Sequence, residues 1–200
     1  MCGIVLAAGQ GRRYRKIAGA DQDKLLARCV GRDGVERPVL EHVLLNLHGV
    51  VDSLVLVTRT DRHAVIDLGR RYGCELVQLD SPGMGDSLAA GVAASMVHQP
   101  GGGGWAGWLI ALGDMPFILP ESIQQLLRAV QDEHICVPVQ DGQFGHPVLF
   151  ANAYGPALRA LSGARGAKGL FRPERLCEIQ VSDPGVLWDV DTPARLRFRP

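Results

Sequence analysis

The segment that decides the fold is Ile4-Val5-Leu6-Ala7-Ala8-Gly9-Gln10-Gly11-Arg12-Arg13. Its consecutive apolar residues are typical of a strand that is buried on both faces of a sheet. Two glycines follow, and glycine lets the backbone turn sharply and approach a ligand closely. Cations come next, at Arg12, Arg13, Arg15, Lys16 and Lys24. Backbone N–H groups and such cations together form an anion site, so we expect a loop ending at Lys24 that binds a polyphosphate. A solvated basic loop after an edge strand is the alternative.

Two familiar phosphate-binding motifs do not fit this segment. The P-loop requires Gly-Lys-Ser/Thr after a four-residue gap, and the sequence contains no such run. The dinucleotide fingerprint requires a third glycine, but Tyr14 occupies that position. It also requires an acidic residue after the next strand, which instead ends in Thr58 and Arg59.

Length and composition indicate one ordinary globular domain covering residues 1–200. A chain of 200 residues, 46% of them apolar and 21% charged, can bury a full core without disulfides. The formal net charge is zero, so no overall field favours nucleic acid or an anionic membrane, and we expect neither as a partner. The longest apolar stretches are shorter than the roughly 20 residues that span a bilayer. No basic and apolar leader is expected at the N-terminus.

The cysteines indicate a reducing compartment. There are five, an odd number, at Cys2, Cys29, Cys74, Cys136 and Cys177, and none are in Cys-x-x-Cys spacing. We therefore expect them to be reduced and mostly buried, and the protein to be cytoplasmic.

Strands and helices alternate through the first two thirds of the chain, which indicates βαβ units and a mainly parallel sheet. We predict strands at residues 53–58, 75–79, 108–112 and 135–139 and helices at 38–47, 62–72, 121–131 and 154–161. A further helix runs through residues 93–96, capped by Asp86 or Ser87. Ligands bind at the carboxyl ends of parallel strands, so the loops after residues 8, 79 and 112 are expected to share one mouth.

Asp114 directly follows a strand that is predicted to be buried on both faces. A buried carboxylate is costly without a cation, and Mg²⁺ is commonly held by one or two carboxylates with phosphates and waters. An N-cap of the helix beginning near Glu121 is the alternative, but Pro120 and a five-residue gap make it awkward.

The last third of the chain departs from simple alternation. A hairpin-like turn at residues 140–143 precedes His146, which either faces a substrate or bonds to a backbone carbonyl. Asp189 and Asp191 alternate on an extended segment and would lie on the same side. One of them can help to hold a metal, and we favour Asp191.

Five segments in order resemble motifs of the MobA-related nucleotidyltransferases, in particular the molybdenum cofactor cytidylyltransferases. They are Leu-Ala-Ala-Gly-x-Gly-x-Arg with Lys24, Gly-Met-x-x-Ser-Leu-x-x-Gly at residues 83–91, Gly-Asp-x-Pro at 113–116, Gly-His-Pro-Val-Leu-Phe at 145–150 and Asp-x-Asp-Thr-Pro at 189–193. The chain departs from the family at Gly11, Tyr14 and Arg15, where the family favours Ser, Met and Gly, and six extra residues precede Lys24. Ala164 stands where the family has Asp.

The resemblance implies an α/β fold: a single-domain, three-layer, Rossmann-like nucleotidyltransferase fold with a mostly parallel sheet, similar to GT-A. It implies transfer of CMP from CTP to the phosphate of molybdopterin or molybdenum cofactor, with Mg²⁺ and release of pyrophosphate. The implied site residues are catalytic Arg13, Lys24 and Asp114; nucleotide-binding Leu6, Ala7, Ala8, Gly9, Gly11, Arg13, Lys24, Gly83 and Ser87; metal-binding Asp114 and Asp191; and acceptor-binding His146.

Two alternatives stay open at this point. One keeps the reaction but uses GTP or another phosphorylated acceptor. The other is a non-catalytic module that delivers cofactor to a molybdoenzyme partner, which the replacement at Ala164 motivates. The joint presence of Asp114, Asp191, Arg13 and Lys24 argues against that module, because a carrier has no need of a metal clamp.

Overall fold

The computed structural model of the chain describes residues 1–80, 83–97, 104–130 and 134–200. Its elements in chain order are β1 (Cys2–Leu6), α1 (Arg12–Ala18), β2 (Arg28–Val30), β3 (Glu36–Pro38), α2 (Val39–Leu47), β4 (Ser53–Thr58), α3 (His63–Arg71), β5 (Glu75–Gln78), α4 (Met84–Val97), β6 (Gly107–Leu112), α5 (Pro120–Arg128), β7 (Ile135–Gln140), β8 (Gln143–Phe144), β9 (Val148–Ala151), α6 (Gly155–Arg159) and β10 (Leu176–Gln180). Short 3-10 helices lie at Asn152–Tyr154, Gly166–Leu170, Pro173–Arg175, Pro184–Leu187 and Pro193–Leu196.

One large sheet organises these elements, in the strand order β10-β7-β9-β6-β1-β4-β5 with β8 paired to β7. β1 lies near its centre and runs parallel to β4 and β6, so that Leu6 is in register with Val57 and Leu112. Only β8 and β9 run antiparallel to their neighbours among the described strands of this sheet. The predicted α/β class with a mostly parallel sheet is confirmed.

Two hydrophobic cores cover the two faces of the sheet. Val5 belongs to the core shared with Leu40 and Leu44 of α2, whereas Ile4 belongs to the core shared with Leu88 of α4. Successive strand residues point to opposite faces. The unbroken apolar run of β1 therefore feeds both cores, which makes the domain three-layered.

Helix α4 packs close to the sheet at Gly91. A Cβ on Gly91 would lie 2.8 Å from Cγ2 of Ile4 and 2.9 Å from Cγ2 of Val57. Any side chain there would push the helix away from β1 and β4. Gly91 therefore allows α4 to lie close to β1 and β4.

The predicted basic loop is wrong in part, because its first residues form α1. Gly11 precedes that helix with a φ of 62°, a conformation that favours glycine. Arg, Lys and Ala are good helix formers, and Tyr14 is buried, so one side of the helix is anchored. Arg12, Arg13, Arg15 and Lys16 consequently extend from a helix, whereas Lys24 lies beyond it in a turn.

Three other boundaries differ from the predictions. Helix α5 ends at Arg128, and residue 131 lies outside the described part of the chain. Helix α4 begins at Met84, so Asp86 and Ser87 lie inside its first turn and neither is its N-cap. The predicted hairpin-like turn at residues 140–143 is narrower, because β7 ends at Gln140 and β8 begins at Gln143.

Sequence reasoning did not find the β2–β3 hairpin or the edge strand β10. Their side chains are largely exposed or half-buried, so the apolar pattern that identifies a strand is weak. The cysteines agree with the expected burial: four are buried, Cys177 is half-buried, and all five are free thiols. Among the described helices, none has both the length and the apolar character needed to cross a membrane.

Candidate active site

A cavity of about 500 Å³ opens at the carboxyl ends of β1 and β6. It is lined by the segment after β1, by the start of α4 and by Asp114. The opening that these loops were predicted to share is therefore present. The residues predicted to hold nucleotide or metal all line this one cavity: Leu6, Ala7, Ala8, Gly9, Gly11, Arg13, Lys24, Gly83, Ser87, Asp114 and Asp191. His146 does not, and lines a second cavity beside it.

The two glycines after β1 have different roles in the backbone. Gly11 needs its positive φ to begin α1. Gly9 shows no such conformation, and a Cβ on it would meet nothing within 4 Å. Of these two residues, only Gly11 has a backbone conformation that favours glycine. Gly9 instead leaves open space at the cavity wall.

Arg62, which sequence reasoning missed, holds the glycine turn in place. Its guanidinium donates to the carbonyls of Ala7 at 3.2 Å and Gly9 at 2.6 Å, and its Nε lies 3.4 Å from Oδ2 of Asp23. Burial lowers the pKa of Arg62, and Asp23 opposes that effect. The carbonyls are thus turned toward Arg62, behind the cavity wall. Nothing in the sequence around residue 62 distinguishes this buried arginine from exposed arginines such as Arg70.

Lys24 stands between the two predicted metal ligands. Its Nζ donates to Oδ2 of Asp114 and, at 3.1 Å, to Oδ1 of Asp191. Arg13 completes the cluster with an Nη1 to Oδ2 contact of 2.6 Å with Asp191. The Lys24 side chain is only 12% exposed, whereas that of Arg13 is 80% exposed. Lys24 is therefore a fixed inner cation and Arg13 an outer one.

The charges in this cluster stabilise one another. Burial by itself would lower the pKa of Lys24, but the carboxylates of Asp114 and Asp191 outweigh burial and raise that pKa. Burial would likewise raise the pKa of Asp191, but Lys24 and Arg13 overcome it and hold the pKa below its usual value. Lys24 is accordingly an ammonium and Asp191 a carboxylate at neutral pH.

Asp189 and Asp191 do not line the same cavity. Asp191 lines the first cavity, whereas Asp189 lines the second and has Nη2 of Arg195 at 3.3 Å. Burial raises the pKa of Asp189, and the nearby Asp191 and Asp114 charges raise it further. The two acids line different, adjoining cavities. The expectation that both lie on the same side is therefore not met.

Gly83 and Ser87 have structural roles that their motif did not reveal. A Cβ on Gly83 would lie 2.2 Å from the carbonyl oxygen of Gly163, so the close approach of that loop requires glycine. The Ser87 hydroxyl donates to the carbonyl of Gly83 at 3.2 Å, and Asp86 accepts from the N–H of Gly163 at 2.9 Å. The motif therefore joins the start of α4 to the loop at residue 163, in addition to lining the cavity.

The carboxylates of Asp114 and Asp191 suit a magnesium-type ion. Their oxygens converge on one ammonium, which shows that a cation can sit between them. No group of three or more His, Cys, Asp or Glu side chains in the described residues forms a fuller set of metal ligands. Two carboxylates with the remaining positions left for phosphates and waters is how proteins usually hold Mg²⁺.

Comparison with protein families matches residues 3–179 to the MobA-like NTP transferase domain. Comparison with curated proteins gives no match. Similar solved structures include Rv0371C of Mycobacterium tuberculosis H37Rv in complex with manganese, at 24% identity and a TM-score of 0.70, covering 97% of this chain and 94% of that chain.

Two further structures have similar folds. A nucleotidyl transferase from Methanothermobacter is 21% identical with a TM-score of 0.76, covering 97% of this chain and 93% of that one. The 4-diphosphocytidyl-2C-methyl-D-erythritol synthase of Anaerococcus prevotii is 15% identical with a TM-score of 0.62, covering 98% and 94%. At these identities the structural likeness concerns the fold.

Proposed function

The chain belongs to the MobA-like NTP transferase domain family, and we propose that it transfers the CMP group of CTP to the phosphate of a molybdopterin-type acceptor. The observation that carries the proposal is the position of Lys24 between Asp114 and Asp191, inside the cavity formed by the glycine turn. A fixed cation and two converging carboxylates are suited to a reaction in which phosphate charge has to be neutralised.

In the proposed reaction, a phosphate oxygen of the acceptor attacks the α-phosphorus of CTP. A new P–O bond joins the two phosphates, the bond from the α-phosphorus to the oxygen bridging the β-phosphate breaks, and pyrophosphate leaves. The attacking phosphate is already a nucleophile, so the protein needs to supply positioning and charge neutralisation. Lys24 and Arg13 would bind the triphosphate and stabilise the charge that develops on pyrophosphate.

Asp114 and Asp191 would hold Mg²⁺, which supplies charge neutralisation at the phosphate oxygens when bound. The two carboxylates now share the charge of Lys24, so we propose that Lys24 turns from them toward the triphosphate in the loaded enzyme. The manganese bound by the similar Mycobacterium tuberculosis protein supports a divalent cation in a protein of this fold.

The choice of CTP rests on the two loops that would face the base. The motif at residues 83–91 resembles that of the cytidylyl branch, and Ala8 stands where the guanylyl branch commonly has glycine. Ala8 and Met84 both line the cavity, so the Ala8 methyl group reduces the space beside the base and ribose. His146 is proposed to face the acceptor from the adjoining cavity.

Incubation of the purified protein with Mg²⁺, molybdopterin and each of CTP, GTP, ATP and UTP in turn tests the proposal. We expect a dinucleotide of molybdopterin and CMP, identified by mass, as the main product. A GMP product would correct the nucleotide and keep the reaction. Absence of a dinucleotide with any nucleotide, together with tight binding of the finished cofactor, would support the delivery module instead.

A further inference from the structure

Two of the five cysteines lie opposite each other on neighbouring strands. β7 and β10 run parallel, and their register pairs Cys136 directly with Cys177. Neighbouring strands are about 4.8 Å apart, and the Cα atoms of disulfide-bonded cysteines are usually about 4.4–6.8 Å apart. The sheet therefore already holds these two cysteines within the separation that a disulfide needs.

Both thiols are on the same face of the sheet. Directly paired residues of parallel strands share a face, and successive residues alternate between faces. Cys136 belongs to the core that includes residues of α2 and α5, and Cys177 packs against that same core. The preceding register pair, Ile135 and Leu176, contributes to the core on the opposite face. Strand register and core packing thus independently place the two thiols side by side.

The two thiols differ in their access to solvent. Cys136 is fully buried, whereas Cys177 is half-buried. The structure describes all five cysteines, and Cys177 is the only one of them that is not buried. It lies on β10, the edge strand of the sheet. A small oxidant can therefore reach Cys177, and a second thiol that can displace the oxidant lies directly beside it.

The surroundings of Cys136 keep it protonated until its neighbour has reacted. Burial raises the pKa of Cys136 to about 12, and Cys177 contributes to that rise. Its Sγ donates a weak hydrogen bond to the carbonyl oxygen of Ala129 at 3.7 Å. Cys136 is therefore unreactive toward reagents in solution. It needs no solvent access to attack a sulfur held next to it, and this proximity offsets its low thiolate fraction.

The other three cysteines have no such arrangement. Cys2 and Cys29 lie in strands whose register pairs them with residues other than cysteine. Cys74 precedes β5 and lies in no strand. All three are buried. Oxidation of the folded chain is therefore expected to join one specific pair of cysteines.

We propose that Cys136 and Cys177 form a redox-active dithiol, which a low-molecular-weight disulfide, RSSR, converts into an intrachain disulfide that links edge strand β10 to β7. This site goes beyond the proposed transfer reaction and does not depend on it. In the first step the Cys177 sulfur attacks one sulfur of RSSR, a mixed disulfide forms, and RS⁻ leaves and takes the Cys177 proton.

The second step closes the bond between the two strands. The Cys136 sulfur attacks Sγ of Cys177, the bond from that sulfur to the remaining RS group breaks, and the departing group takes the Cys136 proton. The two cysteines are thereby oxidised to one disulfide, and RSSR is reduced to two RSH.

The bond would close a long loop that carries part of the second cavity. Residues 137–176 lie between the two cysteines, and they include His146, Arg165 and Lys168, which line that cavity. A cross-link reduces the conformational freedom of the unfolded chain, and it does so more strongly for a long loop. We therefore expect the oxidised protein to resist unfolding better than the reduced protein.

Titration of the folded full chain with dithiodipyridine tests the proposal, because this disulfide releases coloured thiopyridone. One equivalent of reagent should release two equivalents of thiopyridone from wild type and leave a chain that has lost two hydrogens by mass and carries no adduct. Peptide mapping without reductant should then find the Cys136 and Cys177 peptides joined. An adduct kept on Cys177, a bond between other cysteines or a bond between two chains would overturn the proposal.

Single substitutions separate the roles of the two thiols. Cys136→Ala should release one equivalent of thiopyridone and keep the adduct on Cys177. Cys177→Ala should react at least about tenfold more slowly than wild type, because the remaining thiols are buried. Cys74→Ala, at a buried cysteine outside the pair, is the matched control and should form the disulfide as wild type does. Two equivalents from Cys136→Ala, or the wild-type rate in Cys177→Ala, would contradict these roles. The peptide map of wild type decides the pairing even where a variant does not fold.

Urea unfolding of oxidised and reduced wild type tests the effect of the cross-link. The midpoint should rise by about 1 M or more on oxidation and return when dithiothreitol reduces the bond. The reagent should not raise the midpoint of Cys136→Ala, which cannot form the bond. An equal midpoint for oxidised and reduced wild type would overturn the proposed linking of β10 to β7.

Discussion

The backbone N–H of Val190 donates a hydrogen bond to the carbonyl oxygen of Asp114, with an N···O distance of 2.8 Å. This single bond joins the end of the buried strand β6 to a segment almost eighty residues later in the chain. It places Asp191, the next residue, where its carboxylate accepts a hydrogen bond from the same Lys24 Nζ as Asp114 does. The proposed metal site therefore depends on a contact between two distant parts of the sequence.

Replacement of Asp114 by Asn should leave the fold intact and remove most of the activity. Loss of a carboxylate that holds the metal weakens transition-state stabilisation, and we expect kcat to fall by about 10²- to 10³-fold. Steady-state kinetics at saturating Mg²⁺ measures this effect. Asp67→Asn, at an exposed acid of α3, is the control. Near wild-type turnover by Asp114→Asn would contradict the assignment of the proposed metal to Asp114.

Lys24→Ala should damage catalysis far more than Arg15→Ala. The Lys24 side chain is only 12% exposed and contacts two carboxylates, whereas Arg15 is an exposed residue of α1. Solvated surface charges contribute little, so we expect about a 100-fold or greater loss in kcat/KM for Lys24→Ala and under about threefold for Arg15→Ala. Equal losses would mean that the basic segment acts only as a diffuse positive field.

Arg62→Met should destabilise the protein and weaken nucleotide binding together. The substitution leaves the carbonyls of Ala7 and Gly9 without their donor and Asp23 without its buried partner. We expect the free energy of unfolding to fall by about 2–4 kcal/mol in urea titrations, and KM for the nucleotide to rise. Arg70→Met, at an exposed position of α3, should change neither quantity. An unchanged KM in Arg62→Met would show that the glycine turn keeps its shape unaided.

Acid should destabilise the protein partly through Asp191. Its pKa is lower in the folded protein than in the unfolded chain, because Lys24 and Arg13 favour the carboxylate. The stabilisation is therefore fully present above about pH 4 and is lost as the pH falls through the folded-state value. Urea unfolding at pH 7 and at successively lower pH should show a smaller acid-induced loss in Asp191→Asn than in wild type. An identical loss of unfolding free energy in the two proteins would show that Asp191 does not contribute to acid destabilisation.

Elements and site residues could be predicted from the sequence where the pattern was local and strong. The apolar run of β1 and the glycines after it predicted a strand buried on both faces and a turn at its carboxyl end. Asp114 could be located because the carboxyl ends of parallel strands share one edge. What could not be predicted came from distant contacts. Arg62 binds carbonyls more than fifty residues earlier, and no local pattern signals such a contact.

The helix α1 shows a different kind of failure. Its cations suggested a phosphate loop, but the same residues are good helix formers and Tyr14 supplies a buried anchor. The burial of Tyr14 favours the helix over the loop. A run of charged residues gives no sign of such burial. The motif at Gly83 similarly hides a packing requirement, since its glycine permits the approach of Gly163.

The choice of nucleotide is tested by kinetics with CTP and GTP on the same acceptor. Ala8 reduces the space beside the base, and discrimination is strongest when the wrong base leaves polar groups unpaired. We expect kcat/KM to favour CTP by roughly ten- to a thousand-fold, from about 1.4–4 kcal/mol of differential binding. Ala8→Gly should reduce that ratio. A preference for GTP would reject the cytidylyl assignment and leave nucleotidyl transfer standing.

The fate of each phosphorus of CTP tests the central claim most directly. With CTP labelled at the α-phosphorus, Mg²⁺ and molybdopterin, we predict that the label appears in the molybdopterin product. With CTP labelled at the γ-phosphorus, the label should leave in pyrophosphate, in equal moles to the product. Transfer of the γ-label to molybdopterin, with CDP released, would contradict nucleotidyl transfer and with it the roles given to Lys24, Asp114 and Asp191.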